Sequence, residues 1–154
     1  MKIVFDQVNK NFGIVNALKD ISFEIDQGEF VFITGNSGAG KSTLFKLFLN
    51  QLKPTSGKIL IGDIDLSNGN KQEIDQTRRK IGVVFQDYQL IPDKTIEENI
   101  ALILDIVNYP KEKVQSRIDQ VIKEVNLGTR RFLFAAQIAG GEHKISSLSR
   151  ALAI

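Results

Sequence analysis

The sequence predicts an α/β fold, and three observations carry that prediction. The stretch Gly35-Asn36-Ser37-Gly38-Ala39-Gly40-Lys41-Ser42-Thr43 has the form G-x-x-x-x-G-K-S, and it lies between apolar Phe30–Thr34 and apolar Leu44–Leu49. A strand, a glycine turn and a helix are the setting in which that pattern works as a phosphate-binding loop. Upstream, Ile21, Phe23 and Ile25 alternate with Ser22, Glu24 and Asp26, the period of a half-buried antiparallel strand. Downstream, Val114, Ile118, Val121, Ile122 and Val125 recur at helical spacing, opposite charged residues.

Taken in order, Lys2 to Val8 reads as a first strand and Asn9–Gly13 as a turn. Asp26–Glu29 turns the chain into Phe30–Thr34, a continuous apolar run of the kind buried on both faces of a sheet. The helix after the glycine loop is expected to end near Lys53-Pro54, because proline disfavours helix in the residue before it. Thr55-Ser56-Gly57 reads as a turn, Lys58–Ile61 as a strand, Gly62-Asp63 as a tight reversal and Ser67–Asn70 as a polar loop. A short helix up to Arg78–Lys80 precedes a second buried-type strand, Ile81–Phe85. Thr95-Ile96-Glu97-Glu98 is a capping box that opens a helix to about Asn108. Pro110 suits the first position of the next helix and Gly128 its stop. Arg130–Ile138 has no clear period. Gly140-Gly141-Glu142 opens a last helix with Ile145, Leu148 and Leu152 on one side, and His143 reads as a surface residue of that helix.

Composition sets limits on function. The chain has 154 residues, enough for a single domain, with 42% hydrophobic and 25% charged residues, as in ordinary globular proteins. A formal charge of +2 is too small to argue for a nucleic-acid partner. There are no cysteines, which excludes disulfides and thiolate metal sites. The N-terminus meets charge too early for a signal peptide, and no apolar run approaches a membrane span. Any membrane role is therefore expected through a partner.

The chemistry of the loop follows from its residue types. Its glycines permit backbone angles closed to other residues and let the main chain approach a phosphate. Successive N–H groups make an anion-binding concavity, and the following helix N-terminus adds partial positive charge. Lys41 would reach the β- and γ-phosphates, and the Ser42 hydroxyl would ligate Mg²⁺.

Three further stretches narrow the reading. Gln86 follows the Ile81–Phe85 strand, Phe12 lies upstream of the loop, and Ala139-Gly140-Gly141-Glu142 is followed by Arg150-Ala151-Leu152. Together with the loop they resemble the ABC-transporter ATPases over essentially the whole chain. The stretch from Arg79 to Thr95 is most similar to the FtsE-like, cell-division branch of that family; lipoprotein- and macrolide-export relatives are close to it. The resemblance implies a P-loop NTPase core with an N-terminal antiparallel β subdomain and an α-helical subdomain carrying the signature motif. It implies one nucleotide-binding domain over 1–154, with the β subdomain and core in 1–86 and the helical subdomain in 87–154. It further implies that Phe12 stacks on adenine and that residues 35–43 hold the phosphates of ATP. Lys41 and Gln86 would serve the reaction, with Ser42 and Gln86 at Mg²⁺. Ala139–Glu142 would meet a nucleotide held by the other subunit of a homodimer. The implied partner is an integral membrane, FtsX-like permease, and the implied location is cytoplasmic, on the inner face of the plasma membrane.

The sequence departs from the family at two places. Ala139 stands where the family has a serine that meets the γ-phosphate; a lost hydrogen bond to a charged group costs roughly 1.5–3 kcal/mol. His143-Lys144-Ile145 follows it where the family usually has two glutamines and an arginine. The family also continues, past the signature helix, into a Walker B strand ending in aspartate and glutamate and later an H-loop histidine, none of which is in these 154 residues. The expectation is a domain truncated at its C-terminus, with core strands missing. The resemblance implies ATP hydrolysis coupled to a membrane partner for the full-length family; the chain as given is expected to bind nucleotide, or only a partner, and not to hydrolyse ATP above background.

Overall fold

The computed structural model describes residues 1–154 as two compact units, Met1–Arg78 and Arg79–Ile154. The first is built on a four-stranded antiparallel sheet in the order β2-β1-β3-β4, formed by β1 (Ile3–Phe12), β2 (Val15–Ile25), β3 (Ser56–Ile61) and β4 (Ile64–Asp65). Strands β1 and β2 form a hairpin closed at Phe12↔Val15, so the turn is only Gly13-Ile14 and Asn9–Phe12 belong to the strand. The alternation of Ile21, Phe23 and Ile25 sets the register: Phe23 pairs with Phe5, and the two rings stack at 4.6 Å. Ser56 and Gly57 are not a turn but the start of β3. Gly57 has φ +87, and a Cβ there would lie 2.3 Å from the Gln7 carbonyl, so the β1–β3 register shift requires glycine.

Two helices complete this unit, α1 (Lys41–Phe48) and α2 (Lys71–Arg78). Leu44 and Leu47 of α1 are buried, as are Phe5, Val8, Ile59 and Ile61 of the sheet and Ile74 of α2. Helix α1 ends well before Lys53-Pro54. Asn50 takes a left-handed conformation (φ 53); its N–H donates to Leu47 O and the Gln51 N–H to Lys46 O. Those two bonds satisfy the last carbonyls of the helix.

Phe30–Thr34 carries the largest difference from the sequence reading. It is not a buried strand: it has no ladder partner within these residues, and Phe30 and Phe32 are 84% and 78% exposed. The run is apolar on both sides, so burial depends on neighbouring strands and covering helices, and the four-stranded sheet supplies neither. Ile81–Phe85, in the second unit, is likewise without a ladder partner, with Ile81, Val83 and Phe85 half-buried and Val84 exposed.

The second unit is helical: α3 (Ile96–Ile106), α4 (Val114–Glu124) and α5 (Gly140–Leu152), joined by short 3-10 turns at Lys111–Lys113, Gly128–Arg130 and Ala135–Gln137. Its core joins Ile96, Ile100 and Leu104 to Ile118, Val121 and Ile122, with Leu127, Ile138 and Ala153. The Thr95 capping box is present: Thr95 Oγ1 accepts from Glu98 N at 3.2 Å, and Glu98 Oε2 accepts from Thr95 N at 2.8 Å. Pro110 precedes the 3-10 turn rather than starting α4. Helix α3 stops at Ile106 and α4 at Glu124, each followed by an asparagine with positive φ, Asn108 and Asn126. Asn126, not Gly128, closes α4, through Asn126 N to Lys123 O and Leu127 N to Ile122 O. Helix α5 inverts its apparent polarity. Ile145, Leu148 and Leu152 face outward, whereas Ser146, Ser147 and Ser149 are buried. His143 is half-buried, its Nε2 2.9 Å from the Ala135 carbonyl oxygen.

Candidate phosphate-binding site

Residues 35–43 fold as an exposed glycine loop running into α1. Gly35, Gly38 and Gly40 all have positive φ, at 153°, 82° and 87°. Gly40 is the residue before the helix, and a Cβ on it would lie 2.6 Å from Ala17 O and 2.7 Å from Leu18 Cδ2 of β2. The glycine therefore serves twice, for its backbone angle and for close approach to the hairpin. Asn36 O accepts from Ala39 N at 3.2 Å, which closes the loop on itself.

Helix α1 begins at Lys41, so its first N–H groups have no partner inside the helix and point into the loop. The Lys41 ammonium folds back over the loop and donates to the carbonyl oxygens of Gly35 and Asn36, both at 2.8 Å. Ser42 is exposed at the second position of α1. A glycine loop, a helix N-terminus and a lysine ammonium held over the loop fit a phosphate, and the neighbouring hydroxyl fits a hard cation such as Mg²⁺.

Phe12 ends β1, opposite Val15 and close in the hairpin to Ala17, which touches Gly40. Its ring is 47% exposed with Lys10 Nζ 5.1 Å from the centroid, so one apolar face is open beside the loop's hairpin.

The other sequence-predicted residues belong to the second unit. Gln86 is exposed in a turn after the Ile81–Phe85 run. Gly82 lets that run lie against α5, since a Cβ there would meet Ala151 O at 2.4 Å. Ala139 is the cap residue of α5 and Gly140 and Gly141 open it, both with free space where a Cβ would stand. Glu142 Oε2 accepts from Ala139 N at 3.1 Å, and Glu142 Oε1 from Arg130 Nε at 2.7 Å. The Arg130 hydrogen bond and then the Ala139 N–H hold the Glu142 carboxyl below the usual carboxylate range.

Several supporting residues have no local sequence signal. Asn99 is buried in α3; its Oδ1 accepts from Ile91 N, and its Nδ2 donates to the carbonyls of Ile91, Lys94 and Thr95. It fixes the end of the loop that starts at Gln86. Arg131 reaches Glu97 with two bonds at 2.7 and 2.8 Å and Asp119 at 2.7 Å, tying α3 to α4. That pairing lowers the Glu97 pKa, the Arg131 hydrogen bond being the main cause, and raises that of Arg131. Buried serines at 146, 147 and 149 of an otherwise periodic helix are the one pattern that could have pointed to the inner face of α5.

An α/β chain whose G-x-x-x-x-G-K-S loop opens a helix has the form of the phosphate-loop class. The profile described as "ABC transporter" matches residues 18–154, and the chain belongs to that family. It is 42% identical over 138 residues to the cell division ATP-binding protein FtsE of Bacillus subtilis, covering 90% of this chain and 60% of FtsE. It is 38% identical over 155 residues to the methionine import ATP-binding protein MetN of Geobacillus kaustophilus, covering 98% of this chain and 45% of MetN. Thus it spans about half the length of the curated relatives it matches. A solved ATP-binding cassette, dimeric and in a post-hydrolysis state bound to ADP and Pi, is 33% identical. It superposes with a TM-score of 0.87 over 98% of this chain and 69% of that one.

Proposed function

We propose that the Gly35–Thr43 loop holds the phosphates of Mg·ATP and that the chain is the nucleotide-binding part of an ABC transporter ATP-binding subunit. The observation that carries this reading is the loop: three positive-φ glycines lead into the N-terminus of α1, and the Lys41 ammonium lies over the carbonyl groups of Gly35 and Asn36. Lys41 would exchange its two carbonyl partners for phosphate oxygens, a stronger, charge-assisted contact. Ser42 would take Mg²⁺, which when bound bridges phosphate oxygens and neutralises their charge. Phe12 would stack on the base, a contact worth about 1–3 kcal/mol on comparable platforms.

In the whole protein, residues 1–86 would carry the nucleotide and 87–154 the signature helix. Two copies would pair so that Ala139–Glu142 of one faces the nucleotide of the other. Gln86 would sense that nucleotide and report it to an integral membrane partner on the inner face of the plasma membrane. The likeness to FtsE favours an FtsX-like permease and a role in cell division. A second reading, an ATP-binding subunit of an importer, has in its favour the MetN match over 98% of this chain. No helix is long and apolar enough to cross a membrane. Calorimetric titration with Mg·ATP tests the reading: Lys41→Ala is expected to weaken binding at least about tenfold, the loss of a hydrogen bond to a charged group. Equal affinity in the two proteins would remove the loop from the account.

A further inference from the structure

The loop that follows Gln86 holds the least favourable backbone of the second unit. Tyr88 and Gln89 are consecutive left-handed residues, with φ 60° and 47°, and neither is glycine. In that region the side chain crowds a carbonyl oxygen, so a pair of such residues persists only when the surroundings hold it.

The surroundings are three side chains on one face of α5, at positions 143, 147 and 150. Ser147 Oγ donates to the Tyr88 carbonyl at 3.0 Å, and Arg150 Nη1 donates to the Gln89 carbonyl at 2.5 Å. The Tyr88 ring lies beside the His143 ring, with centroids 6.0 Å apart. Ser147 is only 3% exposed. Arg150 is half-buried, its Nε has no hydrogen-bond partner, and burial pushes its pKa down. One turn away, the buried Ser146 hydroxyl is also unpaired. A guanidinium kept in so poor a place for itself is explained by what it grips. The far end of the loop is held independently by Asn99 on α3.

We propose that Ser147 and Arg150 are positioning residues that hold Tyr88 and Gln89 in a left-handed turn and so make α5 and the Gln86 loop one mechanical piece. Its functional meaning rests on the nucleotide reading above: a displacement felt at Gln86 then passes along α5 to Ala139–Glu142 without an intervening hinge.

Hydrogen exchange by mass spectrometry on the 154-residue protein, without nucleotide, tests this through four proteins: wild type, Gln89→Gly, Arg150→Met and the double variant. Glycine removes the cost of the left-handed angle, so Gln89→Gly is expected to raise protection of the 85–92 segment. Arg150→Met is expected to lower it roughly tenfold, within the range of couplings inside one network, and to leave 96–106 unchanged. In the Gln89→Gly background the same change is expected to cost about threefold or less. Arg150→Lys, which keeps a donor, should recover part of the loss. Ser147→Ala gives the same cycle if Arg150→Met does not fold. Equal effects in both backgrounds, no effect, or loss of protection spread over α3 and α4 would overturn the proposal and leave Arg150 a packing residue. Because no nucleotide is present, that failure is distinct from a failed Mg·ATP titration.

Discussion

Gly40 answers two demands with one missing atom: a left-handed φ of 87° and a close approach in which a Cβ would lie 2.6 Å from Ala17 O. Gly38 answers only the first, with φ 82° and open space around it. Gly40→Ala is therefore expected to lower stability by more than the roughly 1–2 kcal/mol of a left-handed residue, and Gly38→Ala by about that amount. Thermal denaturation of the two variants compares them. At Asn99 the amide serves four backbone groups of the loop at 91–95. Asn99→Ala is expected to cost about 1–3 kcal/mol in chemical denaturation, because the Ile91 N–H loses its partner, while the three carbonyls keep the backbone donors Lys94 N, Ala135 N and residue 99 N. The loop residues were legible in the sequence because their spacing is itself the chemistry. Asn99, Ser147 and Arg150 were not, because each acts on main-chain groups of a distant loop, and backbone carbonyls leave no mark in a sequence.

Among the elements, the starts were easier to read than the ends. The Thr95-Glu98 box places the start of α3 to the residue. Helices α1, α3 and α4 all stop at asparagine; the end of α3 near Asn108 was legible, whereas for α1 and α4 a reading tuned to proline and glycine runs too far. The apolar stripe of α5 was legible, but not its direction, since burial of serines depends on what the helix packs against. Charge ties these helices together in a way that pH can test. Glu97 is held below the usual carboxylate range chiefly by Arg131, Glu98 by the Thr95 N–H and Glu142 chiefly by Arg130. A depressed folded pKa gives stability that is present above the unfolded value of about 4.5 and is lost as pH falls through the lower, folded value. The second unit is thus expected to lose protection as pH drops below about 4.5. In Arg131→Gln the Glu97 share of that acid sensitivity should shrink to what the Gln115 hydrogen bond sustains, read as a flatter melting-temperature profile below that pH.

At the scale of the whole molecule, an ordered antiparallel sheet and an ordered helical unit coexist with two apolar runs that no strand covers. Phe30–Thr34 and Ile81–Phe85 were legible as strands by composition, and the buried state expected for them was not met, because burial is a property of neighbours rather than of the run itself. Open apolar edges of this kind promote self-association. In hydrogen exchange the 30–34 and 81–85 segments should be poorly protected while β1 and β2 stay protected. Strong protection of both runs would mean that another strand covers them.

The same method addresses the central claim, that the Gly35–Thr43 loop binds nucleotide phosphates. Exchange is measured across the chain with and without saturating Mg·ATP. Slower exchange is expected in residues 35–44, where the N–H groups of the loop and of the first turn of α1 would take up phosphate oxygens, and the effect should vanish in Lys41→Ala. Unchanged exchange in 35–44 at saturating Mg·ATP, or protection confined to other segments, would contradict the assignment.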